Sequence, residues 1–364
     1  MVKIRLTTNR GLEEIAATEF SQKAKQIDLK IQAVQIKPWN VSGQVLIDLN
    51  HSIDQVIPII TQLRSVYQVI HHLYYYTLNS ENPLISLQHQ LLNLEIFPMK
   101  SASSFRVTSE RYGHHDFNHL NIQQAAGSIL VERYKTPVSL KYPELTLRVD
   151  LYDLHCFVGI ALHSSNLDRR YHKPYQPKVT LNPTVAYAML QFLKPNSTSN
   201  CLLDPFCGSG TILLEAATTL SNYKIYGSDY NIKTIAGVQQ NIRAAKMVNN
   251  ISIKQADARY LNQVYPANFF TAIVTNPPYG IRMGKQINFY HFYRLFLAGV
   301  SYVLKPQGRL LILVGKKSGD FQRVLHQYPT LQLLEFQPIQ TGNFYPHLAV
   351  LEKKPSNNDY YESE

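Results

Sequence analysis

Two short segments carry residue types whose spacing can do chemistry, Thr275-Asn-Pro-Pro-Tyr-Gly280 and Asp204-Pro-Phe-Cys-Gly-Ser-Gly-Thr211. In the first, the side-chain carbonyl of Asn276 and the backbone carbonyl of Pro277 form a pair of acceptors. Such a pair suits the exocyclic amine of a nucleobase, a poor nucleophile because its lone pair is delocalised into the ring. Two acceptors holding its hydrogens pull the nitrogen toward tetrahedral character and aim the lone pair at an electrophile. Catalysis is then mainly orientation, with little demand for a shifted pKa. Pro277 and Pro278 stiffen the loop, and Tyr279 offers a ring face on which a base can stack. The catalytic candidates are therefore Asn276, Pro277, Pro278 and Tyr279. A proline-rich turn with no further role is the alternative, and it fits this position poorly.

In the second segment an apolar run, Cys201-Leu-Leu-Asp204, leads into Gly208-Ser-Gly210 and a helix starting at Thr211. Glycines between a first strand and a first helix let a ligand approach the backbone beside a helix N-terminus. A dinucleotide fingerprint would place a third glycine where Leu213 stands, and Asp204 would repel a phosphate. The same aspartate suits the ammonium group in the amino-acid portion of S-adenosylmethionine. Asp229, ending the second strand, can accept both ribose hydroxyls, and Asp257, after the third, is placed to bond the adenine amine. The cofactor candidates are Asp204, Phe206, Gly208, Ser209, Gly210, Thr211, Asp229, Tyr230, Asp257, Ala258 and Asn276. Any one aspartate could be a helix cap, but three at consecutive strand ends fit that reading poorly. Cys207 reads as a small side chain packed beneath the turn rather than a nucleophile. Val314-Gly-Lys-Lys-Ser318 is not a phosphate loop, because Gly308 is at the wrong distance and the helix context is missing.

These residues need a scaffold that gathers strand ends. From Asn182 onward, apolar runs at 201–204, 224–229, 251–254, 271–275 and 309–314 alternate with helical sequence such as 211–220 and 233–246. That rhythm predicts a doubly wound parallel sheet with helices on both faces. Ahead of it, strands at Lys3–Thr7 and Gly43–Leu49 alternate with helices from Gly11 and from Ser52 to Leu63, a small α+β region. Next come a helix near Leu84–Leu94, a strand at Ser104–Glu110, a helix at Asn121–Tyr134 and a hairpin of Leu145–Leu151 with His155–Leu162. The predicted divisions are 1–63, 64–162, a basic proline-containing linker at 163–180, 181–354, and a polar tail at 355–364 expected to be disordered.

Hydrophobic content of 45% with 17% charged residues excludes a disordered chain. A formal charge of +11 and a pI near 9.3 favour an anionic partner, most commonly nucleic acid. Cys156, Cys201 and Cys207 are too few and scattered for a disulfide framework or zinc site. His71-His72 and His114-His115 lack companion ligands and read as surface or RNA-facing, so no metal is expected. No apolar run approaches the roughly 20 residues of a membrane span, and the start lacks a signal-peptide pattern. The expectation is a soluble, cytoplasmic protein with no membrane partner.

With Thr8-Asn-Arg-Gly-Leu-Glu-Glu14, Phe105-Arg-Val-Thr-Ser-Glu-Arg111 and Asp168-Arg-Arg-Tyr171 added to the two opening segments, the sequence resembles RNA guanine-N2 methyltransferases with an N-terminal THUMP module. The resemblance covers nearly the whole chain. It implies a ferredoxin-like region at 1–63, a THUMP domain at 64–162 and a Rossmann-like methyltransferase domain at 181–354. The Asn276–Arg282 stretch is most similar to the tRNA enzymes, which form N2-methylguanosine at the sixth position of the acceptor stem. Enzymes acting on 23S ribosomal RNA are the alternative. The resemblance also implies that the THUMP block grips the 3′ acceptor end of tRNA as a ruler; a monomer is expected. For RNA contact, Arg106, Arg111, Tyr112, His114, His115 and Lys135 supply cations and aromatic surface. Arg282 beyond the catalytic loop belongs to the set, as do Arg169, Arg170 and Lys173 in the linker, for which contact with phosphate and pinning of the domains are equal alternatives. A DNA adenine-N6 methyltransferase would carry a target-recognition domain in place of the THUMP-like front end. A protein-glutamine methyltransferase fits the charge of +11 less well, and the intact Asp204, Asp229, Asp257 and Asn276 weigh against a non-catalytic RNA-binding protein.

Overall fold

Alternating strands and helices set the plan of the first part of the chain. β1 (Val2–Thr7), α1 (Glu13–Gln26), β2 (Ile31–Ile36), β3 (Gln44–Leu49), α2 (Ile53–Ile60) and β4 (Gln68–Thr77) pair in the antiparallel order β2-β3-β1-β4. That is the ferredoxin-like arrangement. α3 (Pro83–Asn93), β5 (Phe105–Thr108), β6 (Arg111–Tyr112), α4 (His119–Tyr134), β7 (Leu145–Tyr152) and β8 (His155–Ala161) follow. β4 also pairs with β8, so one eight-stranded sheet continues as β8-β7-β5, with β6 joining β7. The structure, a computed structural model, describes residues 2–163, 167–194, 200–280 and 286–355. The chain forms two units, Met1–Thr8 with Glu13–Leu167 and Asn9–Leu12 with Asp168–Glu364.

In the first unit two cores cover one face of the shared sheet. Ile4, Leu6, Val45 and Ile47 pack under Phe20, Val56 and Ile59, and Leu147, Val149 and Val158 pack under Leu87, Leu91, Ile122 and Leu130. Ile4 lies opposite His71 and His71 opposite Ile160, which places both cores on the same face. The sheet runs across the boundary read at residues 63 and 64, and Val66 and Val69 beyond it belong to the first core. On the other face, Arg5 reaches Asp150 at 2.6 Å and Gln44 at 2.9 Å, and Arg148 reaches Asp150 at 2.6 Å. His72 corrects the sequence reading: it is buried near Trp39 and Phe157, not at the surface. Burial, helped by Arg5 and Lys3, pushes its pKa down to about 3, so the ring is neutral.

The second unit holds α5 (Pro183–Leu190), β9 (Asn200–Asp204), α6 (Thr211–Thr219), β10 (Tyr223–Asp229), α7 (Ile232–Ala244), β11 (Ile251–Gln255), α8 (Leu261–Val264), β12 (Phe270–Thr275), α9 (Phe289–Val303), β13 (Leu304–Val314), α10 (Ser318–Leu325), β14 (Leu331–Pro338) and β15 (His347–Lys353). The strand order is β11-β10-β9-β12-β13-β15-β14; β9 to β13 are parallel and the last two antiparallel. β9 is wholly buried, as a central strand with helices on both faces requires. Strand order reverses between β9 and β12, where Ile273 faces Leu203, and such a switch point opens a crevice at the strands' carboxyl ends. Asn9–Leu12 belongs to this unit: Asn9 Nδ2 donates to the Gln340 carbonyl at 2.8 Å, and Gln340 N donates to the Arg10 carbonyl at 2.9 Å. Gly11 is required there at φ +91, since a Cβ would stand 2.5 Å from the Pro338 oxygen.

Candidate active site

Asp204 ends β9 and Asp229 ends β10, Asp257 follows β11, and Asn276 follows β12. All four therefore stand at one edge of the parallel sheet. Asp204 is buried, and its Oδ1 accepts from Thr275 Oγ1 at 2.8 Å and from the Phe206 amide at 3.1 Å. Among the described residues no cationic side chain pairs with it. Burial pushes its carboxyl up to about 7; the two hydrogen bonds oppose that, and Asp229 adds to it. A buried carboxylate with two donors and no countercharge fits an ammonium group, the part of S-adenosylmethionine assigned to it. Thr275, silent in the sequence reading, links this seat to the amine-acceptor loop.

The turn after Asp204 is shaped by two left-handed glycines, Gly208 at φ 50 and Gly210 at φ 83. A Cβ on Gly210 would stand 2.7 Å from Val238 Cγ2. Cys207 N donates to the Ser228 carbonyl at 2.9 Å, and Gly208 N donates to Asp229 Oδ2 at 3.4 Å. These bonds bring turn and second strand together, with Ser209 and Thr211 buried within. Cys207 packs beneath, beside the space that Gly227 leaves, and burial keeps its thiol protonated. Phe206 stacks its ring edge on Phe292 and Phe296 of α9.

Asp257 stands differently. Arg259 clasps it, with Nη2 to Oδ2 at 2.6 Å, and Arg259 N caps on Oδ1 at 3.0 Å. The bond to Arg259 holds its carboxyl below the usual range. An adenine amine placed there shares Asp257 with a guanidinium. Neighbouring Ala258 is buried, and Tyr230 is exposed with its backbone carbonyl held by Gln255.

In the catalytic loop, the Tyr279 hydroxyl donates to Asn276 Oδ1 at 2.5 Å. A carbonyl oxygen has two lone pairs, so Oδ1 retains capacity for an amine hydrogen. The Tyr279 ring lies on Gly315, where a Cβ would stand 2.6 Å from Tyr279 Cβ. Burial raises the Tyr279 pKa, so the phenol stays a donor at neutral pH. Pro277 is buried and Pro278 half-buried. Gly315, set aside with the rejected phosphate loop, is the residue that seats this ring.

The RNA candidates divide by what they already hold. Arg170 pairs with the buried Glu215 at 2.7 Å, and Lys173 Nζ donates to Thr211 Oγ1 at 2.9 Å. Both linker cations thus hold α6, which begins at the glycine turn. Arg111 bonds the Gly113 carbonyl at 2.8 Å and His115 Nδ1 at 3.0 Å, while His115 Nε2 donates to the Asp153 carbonyl at 2.8 Å. His114, Lys135 and Arg169 are exposed. Tyr112 is exposed at the ring. Arg106 bonds Thr146 Oγ1 at 3.1 Å and the Leu140 carbonyl at 3.4 Å. That contact places Arg106 beside Leu140 and Tyr142, each 76% exposed, with Lys141 5.1 Å above the Tyr142 ring. Sequence reasoning missed this aromatic and cationic edge, whose only local signal is the Lys141-Tyr142 pair. Arg282 lies outside the described residues. Among those described, no group of three or more His, Cys, Asp or Glu side chains is arranged to hold a metal, and no helix is long and apolar enough to cross a membrane.

A parallel sheet whose switch point sets a buried carboxyl and a glycine turn beside an Asn-Pro-Pro-Tyr loop fits one class, the S-adenosylmethionine-dependent methyltransferases. Residues 169–338 match the RMKL-like methyltransferase domain family and residues 84–161 the THUMP domain family. A tRNA (guanine(6)-N2)-methyltransferase of Thermus thermophilus is 33% identical over 360 residues, covering 96% of this chain and 99% of that protein. One from Archaeoglobus fulgidus is 27% identical, covering 60% of this chain and 63% of its own. The crystal structure of TrmN from Thermus thermophilus superposes with a TM-score of 0.75 at 28% identity, covering 97% of this chain and 100% of that one. A methyltransferase structure complexed with SAH reaches 0.72 over 98% of this chain and 99% of its own, but at 16% identity it speaks for the fold alone. The chain belongs to the THUMP-containing RNA guanine-N2 methyltransferases, the family that includes the Thermus tRNA enzyme.

Proposed function

We propose that this enzyme methylates the N2 amine of a guanosine in tRNA, at position 6 of the acceptor stem. One observation carries the reading: Thr275 bonds Asp204 at 2.8 Å and Asn276 follows it, so donor seat and amine acceptor share two adjacent strands. The similarity to tRNA (guanine(6)-N2)-methyltransferases supports the base and the position. When bound, S-adenosylmethionine supplies a methyl group activated by a sulfonium. Asp204 would hold its ammonium, Asp229 its ribose hydroxyls, and the glycine turn its close approach. Asn276 Oδ1 and the Pro277 carbonyl take the two amine hydrogens, and the Tyr279 ring stacks on the base. The THUMP domain holds the 3′ acceptor end, with Arg106, Lys135, His114 and the Lys141-Tyr142 edge as its contacts. We place the enzyme in the cytoplasm, working as a monomer.

Incubation with labelled methyl donor and separate pools of tRNA, ribosomal RNA and DNA, followed by nucleoside analysis, tests this. N2-methylguanosine in tRNA is expected. Label in ribosomal RNA alone would move the substrate, and label in no RNA pool would overturn the reading.

A further inference from the structure

The linker also meets the cofactor turn through a side chain that belongs to neither. Asn241 of α7 is completely buried, and its amide makes three hydrogen bonds. Nδ2 donates to the Ser209 carbonyl at 2.9 Å and to the Tyr175 carbonyl at 2.8 Å, while Oδ1 accepts from Tyr175 N at 2.9 Å. The Ser209–Gly210 peptide is thereby fixed at both ends, because Gly210 N donates to the Cys207 carbonyl at 2.7 Å. This peptide joins the two residues that lead from the glycine turn into α6. The Tyr175 ring lies on Gly237, one helical turn before Asn241, where a Cβ would come within 2.3 Å of Tyr175 Cγ.

We infer that Asn241 is a positioning residue for the methyl donor, holding the glycine turn in its binding shape by tying it to the linker at Tyr175. The inference rests on the assignment of the turn to S-adenosylmethionine. It gives the linker a task inside the catalytic unit, and it makes Asn241 and Gly237 determinants of cofactor affinity although neither faces the crevice's chemistry. Asn241→Asp keeps the size and the acceptor but replaces two donated bonds with repulsion between a carboxylate and two carbonyls. Gly237→Ala pushes the Tyr175 ring away and leaves Asn241 unchanged.

The test is isothermal titration of the full chain with SAH, alongside steady-state kinetics and melting temperatures. Both variants are expected to weaken SAH binding by about tenfold, to raise the KM for methyl donor similarly, and to change kcat at saturating donor by less than about threefold. Ile235→Val, a buried change on the same helix, serves as a stability control and should leave SAH affinity unaltered. SAH affinity within about twofold of the parent in both variants would overturn the inference, as would an equal loss in Ile235→Val. Absence of SAH binding in the parent would instead contradict the cofactor assignment, and the inference with it.

Discussion

Asp150 and Asp204 are both completely buried strand residues, yet their surroundings treat the charge in opposite ways. Asp150 lies between Arg5 and Arg148, each at 2.6 Å. Burial alone would raise its pKa, but the two guanidiniums outweigh it and hold the carboxyl below the usual range. Asp204 has only Thr275 and a backbone amide, and burial prevails, raising it to about 7. The first carboxylate is neutralised within the protein and serves the fold. The second awaits a cation that the described residues do not supply, and it stands at the strand ends where a ligand enters. A buried charge with its partner built in is architecture; one without is the place where the proposed function puts a ligand's cation.

The sharpest way to break this contrast is Asp150→Asn. It leaves Arg5 and Arg148 short of a countercharge inside the sheet and should cost about 3–5 kcal/mol, read as a fall in denaturation midpoint. Asp150 carries a lowered pKa, so its contribution is present above its ordinary value of 3.8 and lost as pH falls through and below it. Asn276→Ala comes next. It should lower methyl transfer at least ~100-fold in kcat while SAH affinity stays within about threefold, a split that titration and kinetics together would show. Asp204→Asn should do the opposite of Asp150→Asn. A raised carboxyl pKa means the folded protein binds an extra proton between its ordinary value of 3.8 and about 7, so this group's contribution falls as pH rises through that window. At pH 8 the amide should therefore stabilise the ligand-free protein by at least about 1–2 kcal/mol, a difference that shrinks as pH falls and vanishes only below the ordinary value of 3.8. The smallest effect is expected for Arg259→Ala. Releasing Asp257 from its exposed clasp should alter SAH affinity by less than about threefold; a larger loss would show that Arg259 itself holds the donor.

The parts of this arrangement legible in the sequence are those that act locally. β9 and β12 are continuous apolar runs ending in Asp204 and Thr275, and the residues after them declare their chemistry by type. β4 was not legible, because a bulge between His72 and Tyr74 breaks its alternation and its polar residues include a buried neutral histidine. β2 was hidden for a different reason: its apolar residues do not alternate, Ile31 and Ala33 falling in one phase of a two-residue repeat and Val34 and Ile36 in the other, on an exposed edge strand. The partners of Arg170 and Lys173 were hidden because a sequence shows cations without what they bond, and Glu215 and Thr211 lie 45 and 38 residues away. Asn241 gave no signal at all, since it works on backbone carbonyls 66 and 32 residues distant.

The most direct measurement is the number of protons released when SAH binds, obtained by titration calorimetry in buffers of different ionisation enthalpy. If Asp204 is the ammonium seat, a carboxyl raised to about 7 must ionise as the ligand arrives. Release approaching one proton per site is expected near pH 6, falling toward zero by about pH 8.5, and absent at both in Asp204→Asn. Binding that releases no proton at pH 6, or that releases the same number in Asp204→Asn, would contradict it.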